Sequence, residues 1–194
     1  MKRLCYTLAV LTLLIAAIVT LNACGDTDAT TASTTTTAPI TTTTAPVTTE
    51  APIPEGYTEY KNGNIVFAYP KTWVKQDGST VLLQDATTGN NVTIAYEDKN
   101  DYYSTMNLAA YNRDMKPAFE AMGLTISDPS VKQTTNKVGT AITKISHTAT
   151  VSGVSMKQTM LIATFGNKTY TVTVTEVQPD QTLVDTVFNT YRAK

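Results

Sequence analysis

Three extended stretches joined by two-residue turns constrain this chain more than any other feature. Residues 139–151, 154–165 and 168–177 are rich in β-branched residues, and Ser152-Gly153 and Gly166-Asn167 connect them. A connection that short, with Gly in it, leaves room only for an antiparallel hairpin. In the last stretch Tyr170, Val172 and Val174 fall on one face, and Thr169, Thr171, Thr173 and Thr175 on the other. That is the period-2 alternation of a strand with one apolar face. Long hairpins of this kind build an antiparallel sheet.

Shorter signals surround them. Ile65, Phe67 and Tyr69 alternate up to Pro70, Val81 to Gln84 forms a short strand candidate, and Val92, Ile94 and Tyr96 alternate after the turn residues Thr88-Gly89-Asn90-Asn91. The period then changes. Leu108, Tyr111, Met115, Phe119 and Met122 recur at three- and four-residue spacing, with Gly123 as a C-terminal stop. Pro117 inside this pattern predicts a kink or two shorter helices. Pro179 and Asp180 open a terminal helix whose stripe is Leu183, Val184, Val187, Phe188 and Tyr191. The expectation is an α+β domain over residues 56–194: an antiparallel sheet of about six strands with helices packed on its faces.

Composition changes abruptly before that domain. Residues 26–54 are about half Thr, and Thr34-Thr35-Thr36-Thr37-Ala38-Pro39-Ile40 is repeated at once as Thr41-Thr42-Thr43-Thr44-Ala45-Pro46-Val47. Such a segment offers no apolar seam and reads as an extended linker. Earlier still, Lys2 and Arg3 precede an apolar run from Leu4 to Leu21, the layout of a secretory signal. Leu21-Asn22-Ala23-Cys24 resembles the lipobox of bacterial lipoprotein precursors. The resemblance implies cleavage before Cys24 and a diacylglycerol thioether on it. The expected organisation is a signal peptide over 1–23, a lipidated Cys and Thr/Pro-rich linker over 24–55, and the globular domain. A retained anchor helix is the alternative, because the apolar run is about 18–20 residues long.

Charge and cysteine usage close off several chemistries. The chain has 15 basic and 16 acidic residues, and from Gly56 onward 13 basic face 12 acidic. No basic face for nucleic acid follows from that balance. Cys5 and Cys24 are the two cysteines. With one removed and the other lipidated, no thiol remains for a disulfide, a nucleophile or a thiolate metal site.

Phe67-Ala68-Tyr69-Pro70-Lys71-Thr72-Trp73 leads off the domain, followed by the meander, helix, long hairpins, Thr-Tyr-Thr-Val-Thr-Val strand and terminal helix. That order resembles the PsbP-like family, which includes the PsbP subunit of photosystem II, bacterial lipoproteins sharing its domain, and a Ran-binding import factor of similar fold. The resemblance implies an antiparallel sheet with helices on its faces, and a binding or accessory role rather than catalysis. It carries over no functional residue. Tyr69 and Trp73 around Pro70 read as a packed corner.

Little catalytic chemistry is visible. His147 is the single histidine, alternating with Thr143, Ile145 and Ala149 on the more apolar face of its strand, and no Gly-x-Ser-x-Gly elbow accompanies the serines. No phosphate-binding Gly motif is present, and one His without free Cys leaves no His-pair zinc motif. Glu97, Asp98, Asn100 and Asp101 cluster after the Tyr96 strand and are weak candidates for an oxygen-ligand metal, off the EF-hand spacing. Tyr57, Tyr60, Tyr102 and Tyr103 read as loop tyrosines, the residue type favoured at binding surfaces. The functional expectation is a lipid-anchored protein on the extracytoplasmic face of the cell membrane, of the Gram-positive surface type. Its domain would be a non-catalytic binding or accessory module without a cofactor, with the membrane and an envelope protein as partners. A carboxylate-dependent hydrolase and a small-molecule-binding lipoprotein are the alternatives.

Overall fold

The computed structural model describes residues 52–77 and 80–194. The signal segment, Cys24 and almost all of the Thr-rich linker lie outside the described residues. The strands are β1 (Tyr57–Asn62), β2 (Ile65–Pro70), β3 (Val74–Gln76), β4 (Val81–Gln84), β5 (Asn91–Asp98), β6 (Thr125–Thr135), β7 (Ala141–Val151), β8 (Val154–Phe165), β9 (Lys168–Glu176) and β10 (Arg192–Ala193). Between β5 and β6 come a 3-10 turn (Tyr103–Thr105), α1 (Leu108–Ala110), a π-helical segment (Tyr111–Met115) and α2 (Lys116–Ala121); α3 (Gln181–Thr190) follows β9.

The fold is α+β. A seven-stranded sheet runs β3-β4-β5-β9-β8-β7-β6, and a three-stranded sheet runs β1-β2-β10. Every pairing is antiparallel. This corrects the expectation of one sheet of about six strands. The largest addition is β6, which carries Asp128-Pro129 in its middle. The ladder with β7 shifts register between Ser127 and Ser130, and Asp128 has φ 51°. Pro is tolerated there because β6 is an edge strand and the bulge removes the need for its N–H.

The seven-stranded sheet is the middle layer, since each of its faces has its own core. On one face Val92, Ile94, Ile142, Leu161, Val172 and Val174 pack with Ile65 and Phe67 of the small sheet and with Leu183, Val184, Val187 and Tyr191. On the other, Ile126, Ile145, Ala149, Met156, Met160 and Ile162 pack under Tyr103, Met106, Tyr111, Phe119 and Leu124. The split follows the pleat: Ile142 and Ile145 point to opposite faces of β7.

Local chemistry starts and stops these elements. The Asp180 side chain accepts from Leu183 N at 3.0 Å, capping α3. Thr190 Oγ1 accepts from Ala68 N at 2.8 Å, binding the far end of α3 to β2. The helical run after Asn107 breaks as a π-helical turn just ahead of Pro117, which sits in the first turn of α2. Gly123, at φ 84°, ends it. Leu108, expected on the apolar stripe, is 43% exposed. Trp73 N donates to Pro70 O at 3.1 Å, and Tyr69 and Trp73 lie half-buried against the first core. Among the described residues no helix is long and apolar enough to cross a membrane.

Candidate functional site

The β7–β8 ladder runs from Val151↔Val154 only as far as Thr143↔Ile162. Beyond that rung β7 stays paired with β6 through Thr135↔Ala141, and β8 stays paired with β9 through Phe165↔Lys168. The β7–β8 ladder therefore ends short of its two neighbours at one end of the sheet. The rungs that would set Ile142 opposite Ala163 and Ala141 opposite Thr164 are missing. A cleft of about 470 Å³ lies at this end, bordered by β6, β7, β8 and the segment at Tyr103 and Ser104. Ile142, Ile162 and Ala163 give it an apolar floor, and Thr134, Thr135, Thr164 and Ser104 give it a hydroxyl rim. No ionisable acid or base lines it; Tyr103 is its aromatic residue.

Hydrogen bonds on both faces fix this end of the sheet. On one face the crossing segment after β5 is anchored at Asn100, whose N donates to Thr169 Oγ1 at 2.9 Å. It then reaches β6 and β7, where Gln133 Nε2 donates to Tyr103 O at 3.0 Å and to Met106 O at 2.9 Å. Thr143 Oγ1 lies 2.8 Å from both Tyr103 O and Gln133 Oε1. On the opposite face Asn136, in the β6–β7 turn, donates from Nδ2 to Phe188 O and Tyr191 O, each at 2.7 Å. Its Oδ1 accepts from Thr140 N at 2.9 Å and Val138 N at 3.2 Å. Asn136 is buried and saturated, so it pins the turn to the end of α3.

His147 is the one residue with a catalytic profile, and its surroundings are structural. It is 2% exposed. Tyr111 Oη lies 3.0 Å from Nδ1, and Nε2 lies 3.0 Å from Gln158 Oε1. Gln158 Nε2 continues to Thr175 Oγ1 at 3.4 Å. A neutral imidazole satisfies this chain: the tyrosine donates to Nδ1 and Nε2–H donates to the amide oxygen. Burial pushes the imidazole below its ordinary range, and the Gln158 contact offsets that only in part. The same burial pushes the Tyr111 phenol well up.

The four tyrosines read as loop residues do not form a surface. Tyr60 lies in β1 and is 4% exposed, stacked on Phe67 at 5.0 Å. Tyr57 is a half-buried residue of β1. Tyr103 is 8% exposed and belongs to the second core. Only Tyr102 stands out, at 38%, with its hydroxyl on Asp114. Among the described residues the most exposed tyrosine is Tyr96, at 62%, although it follows Val92 and Ile94 in the alternation of its strand. Its strand runs past the edge of the packed layer there. Lys168 Nζ lies 5.9 Å from its ring centre.

The acidic cluster is not assembled either. Asp98 pairs with Lys168 at 2.6 Å, Asp101 with Lys99 at 3.2 Å, and Asn100 Nδ2 donates to Glu97 Oε1 at 3.5 Å. Among the described residues no three acidic, His or Cys side chains converge to hold a metal. Glu97, Asp98 and Asp101 follow one another along a strand end and its loop, so their carboxylates diverge.

Sequence reasoning missed Asn136, Gln133 and the cleft they frame. The available signal was Asn136 ahead of Gly139 in a turn, which predicts side-chain capping of local amides but not the reach to α3.

No family model matches the chain, and no curated protein matches it. Among solved structures, a protein of Bacteroides thetaiotaomicron VPI-5482, determined at 1.50 Å, is similar at a TM-score of 0.45 and 15% identity. The match covers 67% of this chain and 45% of that one, so this chain spans less than half of that structure's length.

Proposed function

We propose that the chain is a membrane-anchored, surface-exposed lipoprotein whose single domain is a non-catalytic binding or accessory module. In this reading Cys24 carries the lipid, the Thr/Pro repeats supply reach, and the cleft receives the ligand. The observation that carries the binding role is the cleft: it is open and braced from both sides, and no carboxylate or imidazole lines it. A glycoside hydrolase needs two carboxyl groups across its cleft, and a proton-shuttling histidine needs access to substrate. The buried, doubly engaged His147 lacks that access. The order of elements also supports a PsbP-like domain, a resemblance that rests on the Phe67 to Trp73 motif and the sequence of strands and helices.

Two experiments test the reading. Cys24→Ala is expected to abolish lipid labelling and precursor cleavage; a protein that still matures and stays anchored overturns the lipoprotein assignment. Crosslinking on intact cells followed by purification is expected to recover one stoichiometric envelope partner. Turnover of a wall polymer, with no partner recovered, overturns the non-catalytic assignment.

A further inference from the structure

Cations are segregated in this domain. Of the 13 basic and 12 acidic residues from Gly56 onward, residues 125–165 take four basic (Lys132, Lys137, Lys144, Lys157) and one acidic (Asp128), which leaves nine and eleven for the rest. That span is β6, β7 and β8. The register sets three of these lysines on one face of the sheet. Lys132 is directly opposite Lys144, and Lys157 is opposite Thr148, an even number of residues along β7 from Lys144. It is the face on which α3 packs: Lys144 Nζ lies 5.1 Å from the ring centre of Phe188, and Leu161, opposite Lys144, belongs to the first core.

Like charges directly opposite on neighbouring strands destabilise a sheet. Among the described residues neither Lys132 nor Lys144 has an ion pair, whereas seven of the nine cations elsewhere in the domain hold a carboxylate within 4.0 Å. Burial above all holds the Lys144 ammonium below its ordinary range; Asp185 opposes this, Lys157 and Lys132 add to it, and Glu176 opposes it. Glu176 meets Lys157 at 4.0 Å, but its other oxygen is taken by Asp180 N at 2.8 Å. The lysine pair thus lacks a counter-charge of its own.

Hydroxyls lie between the cations. Ser130, Ser146 and Thr159 form one row across β6, β7 and β8, with Ser146 Oγ 3.3 Å from Thr159 Oγ1. Lys157 stands four residues, about 13 Å, along the sheet from the Lys132–Lys144 pair. The strip therefore runs cation, hydroxyl, cation. Its cations are all lysines, which meet phosphate as point charges, whereas arginine suits bidentate carboxylate recognition. The domain's two arginines already hold carboxylates. Single-stranded nucleic acid needs rings on which its bases stack; Phe188 is the ring at this strip, and Lys144 lies over it.

We infer that this strip binds a linear phosphodiester polymer of the cell envelope, in which phosphates alternate with hydroxyl-bearing polyol units. One phosphate sits between Lys132 and Lys144 and relieves their repulsion. A second reaches Lys157, and the polyol between them lies over Ser130 and Ser146. None of these residues lines the cleft, so the strip is a second site beside it. The envelope as the source rests on the lipoprotein reading above; the polymer chemistry rests on the strip alone.

The test titrates the full chain, in neutral detergent micelles, with a glycerol-phosphate oligomer. Uncharged polyglycerol, polyglutamate and oligothymidylate of the same length are the comparison probes. The glycerol-phosphate oligomer is expected to bind at least tenfold more tightly than each of them, and to weaken at least fivefold between about 50 and about 200 mM salt. Lys132→Gln combined with Lys144→Gln is expected to lose at least tenfold in affinity, with a urea midpoint that holds or rises because the like-charge pair is gone. Lys71→Gln, at an exposed position after β2, is expected to keep the affinity. Equal binding of polyglycerol, tighter binding of polyglutamate or oligothymidylate, an equal loss with Lys71→Gln, or no binding overturns the inference. So does a loss of affinity accompanied by a fall in the midpoint, which would mean that the lysines serve the fold. Each of these failures leaves the Cys24 and crosslinking tests of the lipoprotein reading standing.

Discussion

Asn136 donates from its side-chain amide to the carbonyl of Tyr191 at 2.7 Å, across 55 residues of sequence. One buried amide thereby ties the β6–β7 turn to the end of α3. Asn136→Ala leaves the carbonyls of Phe188 and Tyr191 and the amides of Val138 and Thr140 without their partner. Water reaches some of these groups once the turn loosens. The expected loss is about 2–4 kcal/mol, from about 1–3 kcal/mol per buried group left unsatisfied. Urea denaturation measures it, and amide exchange of residues 136–142 is expected to rise before global unfolding. An unchanged midpoint would mean the tie is not maintained in solution.

His147 makes stability depend on pH in a defined direction. Its folded-state affinity for a proton is reduced by burial. The unfolded chain titrates near the ordinary value of about 6.5. Above that pH neither state is protonated, and the stability of the neutral network is fully present. As pH falls below about 6.5 the unfolded state gains a proton that the folded state resists, so stability declines toward the depressed folded value. The slope approaches about 1.4 kcal/mol per pH unit for one proton. With a single histidine in the chain, the interval from pH 7 to 5 isolates this group from the carboxylates. Urea midpoints across that interval are expected to fall for the native protein and to stay level for His147→Gln, although the variant starts lower.

Arg192 and Glu59 join the chain's last strand to its first described one. Arg192 Nη2 meets Glu59 Oε1 at 2.6 Å, and Lys61 Nζ sits on Oε2 at 2.5 Å. The arginine side chain is 7% exposed and the glutamate 15%. Lys61 first, then Arg192, hold the Glu59 carboxyl below its ordinary range. Removing the arginine leaves Glu59 with Lys61 alone, so the cost is that of a lost charged hydrogen bond, about 1.5–3 kcal/mol. Arg192→Met is expected to lower stability by that order. Arg192→Met combined with Glu59→Leu is expected to recover most of it. A double-mutant cycle on unfolding free energies checks both, and additive losses would mean the two residues act independently.

The parts of this fold that were legible in sequence are those decided within a few residues. The β7, β8 and β9 hairpins were legible because alternation and two-residue turns are local, and α3 because Asp180 and the Leu183 to Tyr191 stripe are local. Strand β6 was hidden by Asp128-Pro129, which locally argues against a strand and is tolerated only because the strand is an edge with a bulge. Tyr60 was hidden by its neighbours Glu59 and Lys61, which make a strand beside a small sheet look like a loop. Tyr96 went the other way: alternation fixes the face of a strand but not where the covering layer ends. The cleft was beyond reach, because it is assembled from three strands and the segment after β5. Beside it Asn136 reaches α3 and Gln133 reaches the segment after β5, both long-range contacts without a sequence period.

Ser152 offers a gain rather than a loss. It has φ 50° and Gly153 has φ 77°, and together they connect the paired residues Val151 and Val154. Two successive residues at positive φ between paired strands form the type I′ hairpin turn, whose twist matches that of the strands it joins. Gly153 adopts that region without penalty, but Ser152 carries a Cβ and lacks the carbonyl side chain that makes Asn tolerant of it. Ser152→Asn places the preferred Asn-Gly pair at the tip and touches neither core. The expected stabilisation is about 0.5–1 kcal/mol. With the β7–β8 ladder registered from this turn, thermal and urea midpoints are expected to rise together. Unchanged midpoints would mean that the Ser152 backbone carries no cost at this turn.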